Sequence, residues 1–387
     1  MSLVVLQPKQ VAELTNDALK NTLGEETTLL SENLEGVVDI GTNLQNANAY
    51  KNFLENLMVA TAKYIFRFRE YKAKAPNVLR DNYEFGQLIQ KIRSSLPKTS
   101  ENQSWKLQPN ASYDDNVYTP NECEVKIFKD QITFEVRKSI TNEQIKNAFT
   151  NATQLGNFVS MQFGLVQNRL ELDLENLTYM TINNFMGELI ASDTGANEGK
   201  RVIKLLTLYK NTVPNADQTL TSAKALFHKD FLIFASAKIK DYMNLMQRYN
   251  VQFNAEEFQT FTPEDLMHVC LYSQFVENMA TYAESSTFHD EFIKLPEGFK
   301  VDYWQGLGSN SVADRTSIKI TTASGTEINK SYIIGFIFDH DALGVNHDQP
   351  SVETHYVKSS QFTNYWYKEK LGMFNDLSEN GLIFTLE

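Results

Sequence analysis

Residues 331–387 read SYIIGFIFDHDALGVNHDQPSVETHYVKSSQFTNYWYKEKLGMFNDLSENGLIFTLE. The apolar run Tyr332–Phe338 predicts a strand, broken sharply at Asp339-His340-Asp341. A polar and aromatic segment follows, and Gly381-Leu382-Ile383-Phe384 predicts a second short strand. The break between them admits two readings. Asp339, His340, Asp341, His347, Asp348 and His355 form the densest set of potential ligands in the chain, a carboxylate and imidazole mixture suited to Zn²⁺ or Fe²⁺. Asp-x-Asp is equally an ordinary way to stop a strand and turn the chain, and His347-Asp348 stand before Gln349-Pro350, another turn signal. No His-x-x-x-His lies on a helical stretch, and no facial-triad spacing is present. The turn is the preferred reading.

Working outward, the chain has 387 residues, 42% of them apolar and 22% charged, a globular composition long enough for two or three subdomains. No run approaches the roughly 20 apolar residues of a membrane helix. The start, Met1-Ser2-Leu3-Val4-Val5-Leu6, lacks the basic flank and long apolar core of a signal peptide. Cys123 and Cys270 are the only cysteines, far apart and without metal-type spacing, which fits cytosolic synthesis with free thiols. A net charge of −12 argues against tight, sequence-independent DNA binding by the whole surface. The 25 Phe and 17 Tyr suit extensive interfaces or a large core equally well.

Residues 1–50 carry weak helical periodicity over Gln10–Thr22 and read as an arm that packs poorly on its own chain. Ala49–Phe66 shows a helical stripe of Phe53, Leu54, Leu57, Ala60 and Tyr64. Residues 67–125 are rich in Pro, Ser and Asn, with short alternating pieces. Lys129–Lys138 alternates Ile132, Phe134 and Val136 as a half-buried strand, and Thr141 is a plausible N-cap of the helix that follows. The longest helical pattern spans Asn151–Ile190, through Leu155, Val159, Phe163, Val166, Leu170, Leu174, Leu177 and Phe185. Its heptad alternation slips at Leu174, so a spine helix under a sheet fits better than a coiled coil. Further helices are predicted over Thr221–Arg248 and Pro263–Thr281, the second opened by Thr262-Pro263-Glu264-Asp265. Strands are predicted near Val301–Trp304 and Thr316–Thr321.

One segment stands apart in charge. Arg67, Arg69, Lys72, Lys74, Arg80, Lys91, Arg93 and Lys98 face only Glu70, Asp81 and Glu84, a basic stretch in an acidic chain. It reads as a solvated hairpin or as a projection docking on an acidic neighbour. Ser192–Lys200 (SDTGANEGK) superficially suggests a phosphate cradle, but the spacing is not that of a P-loop and a helix precedes it. No Gly-x-Ser-x-Gly occurs, and Cys270 sits in an apolar surround, so no nucleophile is assigned. No catalytic residue, cofactor or metal is expected.

The order of elements, arm, turn-rich β projection, strand, long helix, mixed lobe and returning strands, resembles the Hong Kong 97 fold of tailed-phage major capsid proteins. Within it the likeness is to the short-tailed phages related to the phi-29 group (podoviruses). It is carried by Ala225-Leu226-Phe227-His228-Lys229-Asp230-Phe231-Leu232, Tyr242-Met243, Phe261-Thr262-Pro263-Glu264-Asp265 and Thr287-Phe288-His289. Tyr303-Trp304-Gln305-Gly306 and Gly335-Phe336-Ile337-Phe338-Asp339-His340-Asp341-Ala342 complete the set. The resemblance implies an α+β fold with an N-terminal arm over 1–50 and a P-domain over 51–69 and 126–190, its spine helix at about 151–190. It places an E-loop over 70–125, an A-domain over 191–345 and a return segment over 346–387. It implies a head protein, made in the host bacterial cytoplasm, that self-assembles as pentamers and hexamers into the icosahedral shell of a virion. The implied partners are a portal, scaffolding or minor head proteins, and double-stranded DNA held without sequence-specific contact; no membrane is involved. In that fold the E-loop lies over the adjacent subunit, which makes Arg67, Arg69, Lys72, Lys74 and Arg80 interface candidates. Glu171, Asp173 and Glu175 on the spine helix are their candidate acidic partners, a solvated helix face being the alternative. An encapsulin-like nanocompartment, and a metal-dependent hydrolase centred on 339–355, are the competing functions.

Overall fold

The computed structural model describes residues 8–24, 29–46, 49, 52–53, 56–57, 79–80, 89–94, 96–97, 99, 101, 109–110, 123–128, 131–281, 298–305, 314–347 and 351–387. In chain order the elements begin with α1 (Pro8–Leu23), α2 (Val37–Asn46), β1 (Leu79–Arg80), β2 (Ile89–Ser94), β3 (Cys123–Phe128) and β4 (Gln131–Thr141). Next come α3 (Asn142–Ala148), α4 (Ala152–Ser192), β5 (Val202–Lys204), α5 (Leu205–Thr212), α6 (Ser222–Ala225) and α7 (Lys229–Met246). Then follow β6 (Met267–Tyr272), α8 (Ser273–Met279), β7 (Phe299–Val301), β8 (Ile318–Thr321) and β9 (Glu327–Lys330). The chain closes with β10 (Ile333–Asp339), β11 (Leu343–His347), β12 (Ser351–Val357), β13 (Phe362–Asn375) and β14 (Gly381–Thr385). Two compact units result: Met1–Glu84, Gln131–Tyr179 and Val345–Gly372 form one, and Phe85–Asp130, Met180–Gly344 and Met373–Glu387 the other.

In the first unit β13 is the organising strand. It pairs antiparallel with β12, from Ser351↔Lys368 to Val357↔Phe362, and with β4, from Gln131↔Gly372 to Thr141↔Phe362. β1 pairs parallel with β11. β4 passes directly into α3 through a reciprocal cap. The Gln144 amide donates to Thr141 Oγ1 (3.3 Å), and the Thr141 amide donates to Gln144 Oε1 (3.1 Å). Thr141 is therefore the N-cap its sequence position suggests.

The expectation that residues 1–50 pack poorly on their own chain is corrected. Val11, Leu14, Ala18 and Leu19 of α1 and Val37, Ile40 and Leu44 of α2 are buried in one cluster with Leu155, Val159, Val166 and Leu170 of α4. Tyr365 and Tyr367 of β13 complete it. Among the described residues, Lys9, Glu13, Asp17, Lys20, Asn21, Asp39, Thr42 and Asn43 lie on the outer faces of these two amphipathic helices. Gly41 lets α2 approach closely, since a Cβ there would stand 2.8 Å from Phe149 Cβ. The helical stripe read over Ala49–Phe66 falls largely outside the described residues; Asn52–Phe53 and Asn56–Leu57 are helical.

The second unit is built on a five-stranded sheet of order β5-β14-β10-β6-β7. β10 is central, antiparallel to β14 and β6, while β14–β5 and β6–β7 are parallel. All seven residues of β10 and all five of β14 are buried, including Asp339 and Thr385, the polar residues that end their apolar runs. A register irregularity between Ile333 and Gly335 puts Ile334 and Ile337 together in the cluster formed with α5, α7 and α8. Phe336 meets Phe185 of α4, with ring centroids 6.1 Å apart.

Helix α4 is 41 residues long, continuous over the stretch whose periodicity predicts it. Two other helical readings change. Thr221–Arg248 is split by a turn at Leu226–His228 into α6 and α7, with His228 Nδ1 accepting from the Phe231 amide as α7's cap (3.3 Å). Pro263–Thr281 is a short 3₁₀ turn, a strand (β6) and then α8. Cys270 therefore lies on an interior strand, buried, with its thiol's pKa pushed well up by burial. A short apolar run buried on both faces does not declare its period, and pairing with β10 decides it.

Gly381 begins β14 where α4 crosses the sheet. A Cβ there would lie 2.6 Å from both Phe185 Cε1 and Leu189 Cδ1. Gly381→Ala should destabilise the chain by about 1–3 kcal/mol, the usual cost of overpacking a fixed core. Thermal or denaturant unfolding measures it, and an unchanged midpoint would show that helix and strand part freely.

Candidate functional site

Strands β2 and β3 form an antiparallel ribbon running from Ile89↔Phe128 to Ser94↔Cys123. Alternation sorts its side chains onto two faces. Lys91, Arg93 and Lys126 share one face, with Lys91 directly opposite Lys126. Ile92, Val125 and Ile127 share the other. Like charges facing each other across a ribbon are destabilising unless an anion lies between them.

That anion is Asp376, in the turn Asn375-Asp376-Leu377-Ser378-Glu379-Asn380 that joins β13 to β14. Its side chain is fully buried. Asp376 Oδ2 lies 2.8 Å from Lys91 Nζ and 3.3 Å from Arg93 Nη2, and Oδ1 lies 3.1 Å from Lys126 Nζ. Glu379 Oε1 pairs with Lys91 (2.5 Å) and with Arg93, and Glu256 pairs with Lys126. The Ser378 hydroxyl donates to Asp376 Oδ1 (2.6 Å) and accepts from Arg93 (2.5 Å) and Lys126 (3.2 Å). The Arg93 guanidinium also stands 5.2 Å from the Phe258 ring centroid, a cation–π arrangement. Burial alone would raise the Asp376 carboxyl. The Lys91 charge and hydrogen bond, the Ser378 hydroxyl and the Arg93 charge outweigh it and hold the carboxyl well below the usual carboxylate range.

The same turn gathers the neighbouring loops. The Asp376 amide donates to Ala342 O (2.6 Å), Leu377 O accepts from the Ala255 amide (2.9 Å), and the Gly381 amide donates to Phe253 O (2.8 Å). Asp339 and Asp341 belong to this junction. The Asp339 amide donates to Asn380 O (3.0 Å), Asp339 Oδ1 accepts from the Asp341 amide (2.8 Å), and Asp341 O accepts from Lys91 Nζ (3.3 Å). The buried Asp339 carboxyl is thus held by its own turn and by the Thr262 side chain. The His340 Nδ1 and His268 Nε2 atoms lie 2.9 Å apart, with the His268 ring stacked on Phe338. His355 belongs to the other unit, on β12 beside Trp366. His347 lies on β11 and Asp348 falls outside the described residues. Among the described residues no group of three or more His, Cys, Asp or Glu is placed to hold a metal.

The loop resembling a phosphate cradle is already filled. Asp193 Oδ1 accepts from the amides of Lys200 (3.1 Å) and Arg201 (2.8 Å), and Oδ2 from that of Gly199 (3.0 Å). An internal carboxylate occupies the position an external anion would need.

Of the interface candidates, Arg67, Arg69, Lys72 and Lys74 fall outside the described residues, and Arg80 is placed only as backbone in β1. Asp173 is almost fully buried and bonded to Arg169 one turn away (3.0 and 2.8 Å). Burial raises its pKa, against the opposing pull of Arg169. Glu171 and Glu175 are half-buried on α4. Asp376, Glu379 and Glu256, which organise the junction, do not stand out in the sequence. The available signal is the alternation Lys-Ile-Arg in β2 against Val-Lys-Ile in β3, which marks one charged and one apolar face.

The model of one family, described as Phi29-like phage major capsid protein, matches residues 14–385. No curated protein sequence matches the chain. Among solved structures, the capsid of Staphylococcus phage Andhra is similar at 9% identity, over 81% of this chain and 84% of that one, with a TM-score of 0.45. The head-fibre and inner-core-protein structure of native bacteriophage P68 is similar at 9% identity, over 80% and 83%, with a TM-score of 0.46. The capsid of cyanophage P-SCSP1u is similar at 12% identity, over 80% and 85%, with a TM-score of 0.43.

Removing one partner of a buried ionic cluster leaves the others uncompensated. Asp376→Asn should therefore cost about 3–5 kcal/mol of stability. It should also open the ribbon to proteolysis near residues 89–94. Limited digestion with unfolding curves reads both, and a variant as stable and resistant as the parent would refute the junction's role. Because the folded Asp376 pKa is depressed, its contribution is complete above the ordinary carboxylate value of about 4. It is lost progressively as the pH falls through that range towards the folded value. Unfolding midpoints from pH 7 downward should therefore decline below about pH 4 more steeply in the parent than in Asp376→Asn.

Proposed function

Because the chain belongs to the Phi29-like phage major capsid protein family, we propose that its copies tile the closed icosahedral head of a short-tailed phage with the Hong Kong 97 domain plan. It is a major capsid protein, a structural component of the virion that assembles into a multi-subunit shell. The single observation that carries the reading is a family match running almost from end to end of the sequence. A structural role in a shell needs no catalytic centre, and the strand-ending turn at Asp339–Asp341 is accounted for by packing.

In this reading pentamers and hexamers of the chain meet at many modest interfaces repeated by symmetry, whose summed effect is a stable container. We assign the domains by the sequence-derived plan, with the N-terminal segment packed on the spine helix and not as a loose arm: arm 1–50, P-domain 51–69 and 126–190, E-loop 70–125, A-domain 191–345 and return segment 346–387. The chain is made in the host bacterial cytoplasm, and the shell works with a portal and with scaffolding or minor head proteins. It encloses double-stranded DNA without reading its sequence. A net charge of −12 fits enclosure of DNA without tight binding, because an acidic protein does not grip a polyanion during packaging. The nanocompartment and hydrolase alternatives gain nothing from the family match.

Basic residues at the root and start of the E-loop, Arg67, Arg69, Lys72 and Lys74, are assigned to docking on an adjacent subunit, with charge setting register and partner. Reversing all four to Glu should reduce shell yield by roughly tenfold or more, the scale expected when each subunit forfeits a few exposed ion pairs. The subunit itself should stay folded by circular dichroism. Electron microscopy of the purified chain reads the shell yield. Closed shells of uniform size are expected from the parent, and normal shells from the reversed variant would remove the electrostatic assignment.

A further inference from the structure

The ribbon of β2 and β3 is inside out. Its charged face, Lys91, Arg93 and Lys126, is turned towards its own chain and neutralised there by Asp376, Glu379 and Glu256. Its apolar face is turned to solvent, with Ile92 68%, Val125 51% and Ile127 52% exposed. Ile92 and Val125 are directly opposite each other, and Ile127 stands opposite Gln90. The remaining positions on this face, Ser94 and the exposed Cys123, carry no charge. A contiguous β face of three large aliphatic side chains on a two-stranded ribbon is the kind of patch that soluble proteins keep covered.

Charge selects what covers it. A nucleic acid would require cations, and the cations of this ribbon are spent on the opposite face. A chain of net charge −12 repels copies of itself over most of its surface, so copies associate best where negative charge is absent. This face is such a place, and membership of a shell-forming family supplies a second copy at every position. We propose that the outward face of the ribbon, Ile92, Val125 and Ile127, is a subunit–subunit contact that seats on an uncharged apolar surface of a second copy of this chain. The proposal rests on the capsid reading and deepens it: contact from this part of the E-loop is apolar, with the ribbon's own charges reserved for holding it in place.

The chain carries its own reporter. Cys123 lies exposed on the face and Cys270 is buried in the core, so a maleimide distinguishes them. Cys123 of the unaltered chain should label readily in dissociated subunits. As the purified chain is concentrated into its assembled form, labelling should slow by roughly tenfold or more, since the thiol must then wait for the contact to open. Cys270 should stay unreactive throughout. Equal labelling of Cys123 in subunits and shells would overturn the proposal while leaving the capsid reading intact. Protection that appears when another head protein binds dissociated subunits, with no shell formed, would overturn the choice of a second copy. A chain that never associates at any concentration, even with its scaffolding protein supplied, would overturn both. A second measurement uses Ile92→Glu with Val125→Glu, placed where side chains are already solvated so that the subunit still folds. Shell yield should fall by roughly tenfold or more as like charge enters a closed contact, and undiminished yield with normal shells would count against the contact.

Discussion

One buried carboxylate holds this arrangement together. Asp376 sits in the turn before the final strand and meets three cations gathered on one face of a ribbon, two of them, Lys91 and Lys126, directly opposite each other. The turn bearing it also accepts or donates backbone bonds to the loops at Phe253–Ala255 and Asp339–Ala342. A buried ionic cluster gives little net stability compared with a well-packed apolar substitute. What it supplies is orientation. A ribbon pinned by its charged face has its apolar face left over, and a shell protein can use such a face.

The two units differ in how they reach a core. One closes amphipathic helices from the start of the chain and the first part of the long helix over a sheet organised by β13. The other surrounds a central strand with no polar residue before its last position, so its sheet is covered on both faces. Glycines sit where elements cross closely, among them Gly41 against Phe149, and Gly381 against Phe185 and Leu189. The final strand, the long helix and the ionic turn are thus adjacent in sequence or in contact. That fits a protein whose last fifteen residues fall wholly within one unit.

Much of this is readable in the residues. The apolar run of β10, the stop at Asp339, the closing strand and the 41-residue helix all follow from period and turn chemistry. Three things do not. The helices of residues 8–46 look weak because their outer faces carry Lys9, Glu13, Asp17, Lys20, Asn21, Asp39, Thr42 and Asn43, and this polar composition hides the periodic apolar positions. Met267–Tyr272 reads as helix because a run buried on both faces has no visible period. The junction escapes a reading of the sequence because its members lie far apart, at 91–93, 126, 256 and 376–379, and only the fold brings them together. Pooling Lys91 and Arg93 with Arg67 to Lys74 as one basic patch joins cations that hold the ribbon to its own chain with others assigned to a neighbour.

The central claim is that the ribbon is held by its charged face and offers its apolar face outward. A cryo-electron microscopy map of the assembled head, at a resolution that shows side chains, tests it most directly. Lys91, Arg93 and Lys126 should converge on Asp376 of their own chain, with Ile92, Val125 and Ile127 covered by a neighbouring copy. A ribbon rotated to put the three cations on a neighbour, or with its aliphatic face bare in the finished shell, would contradict the account.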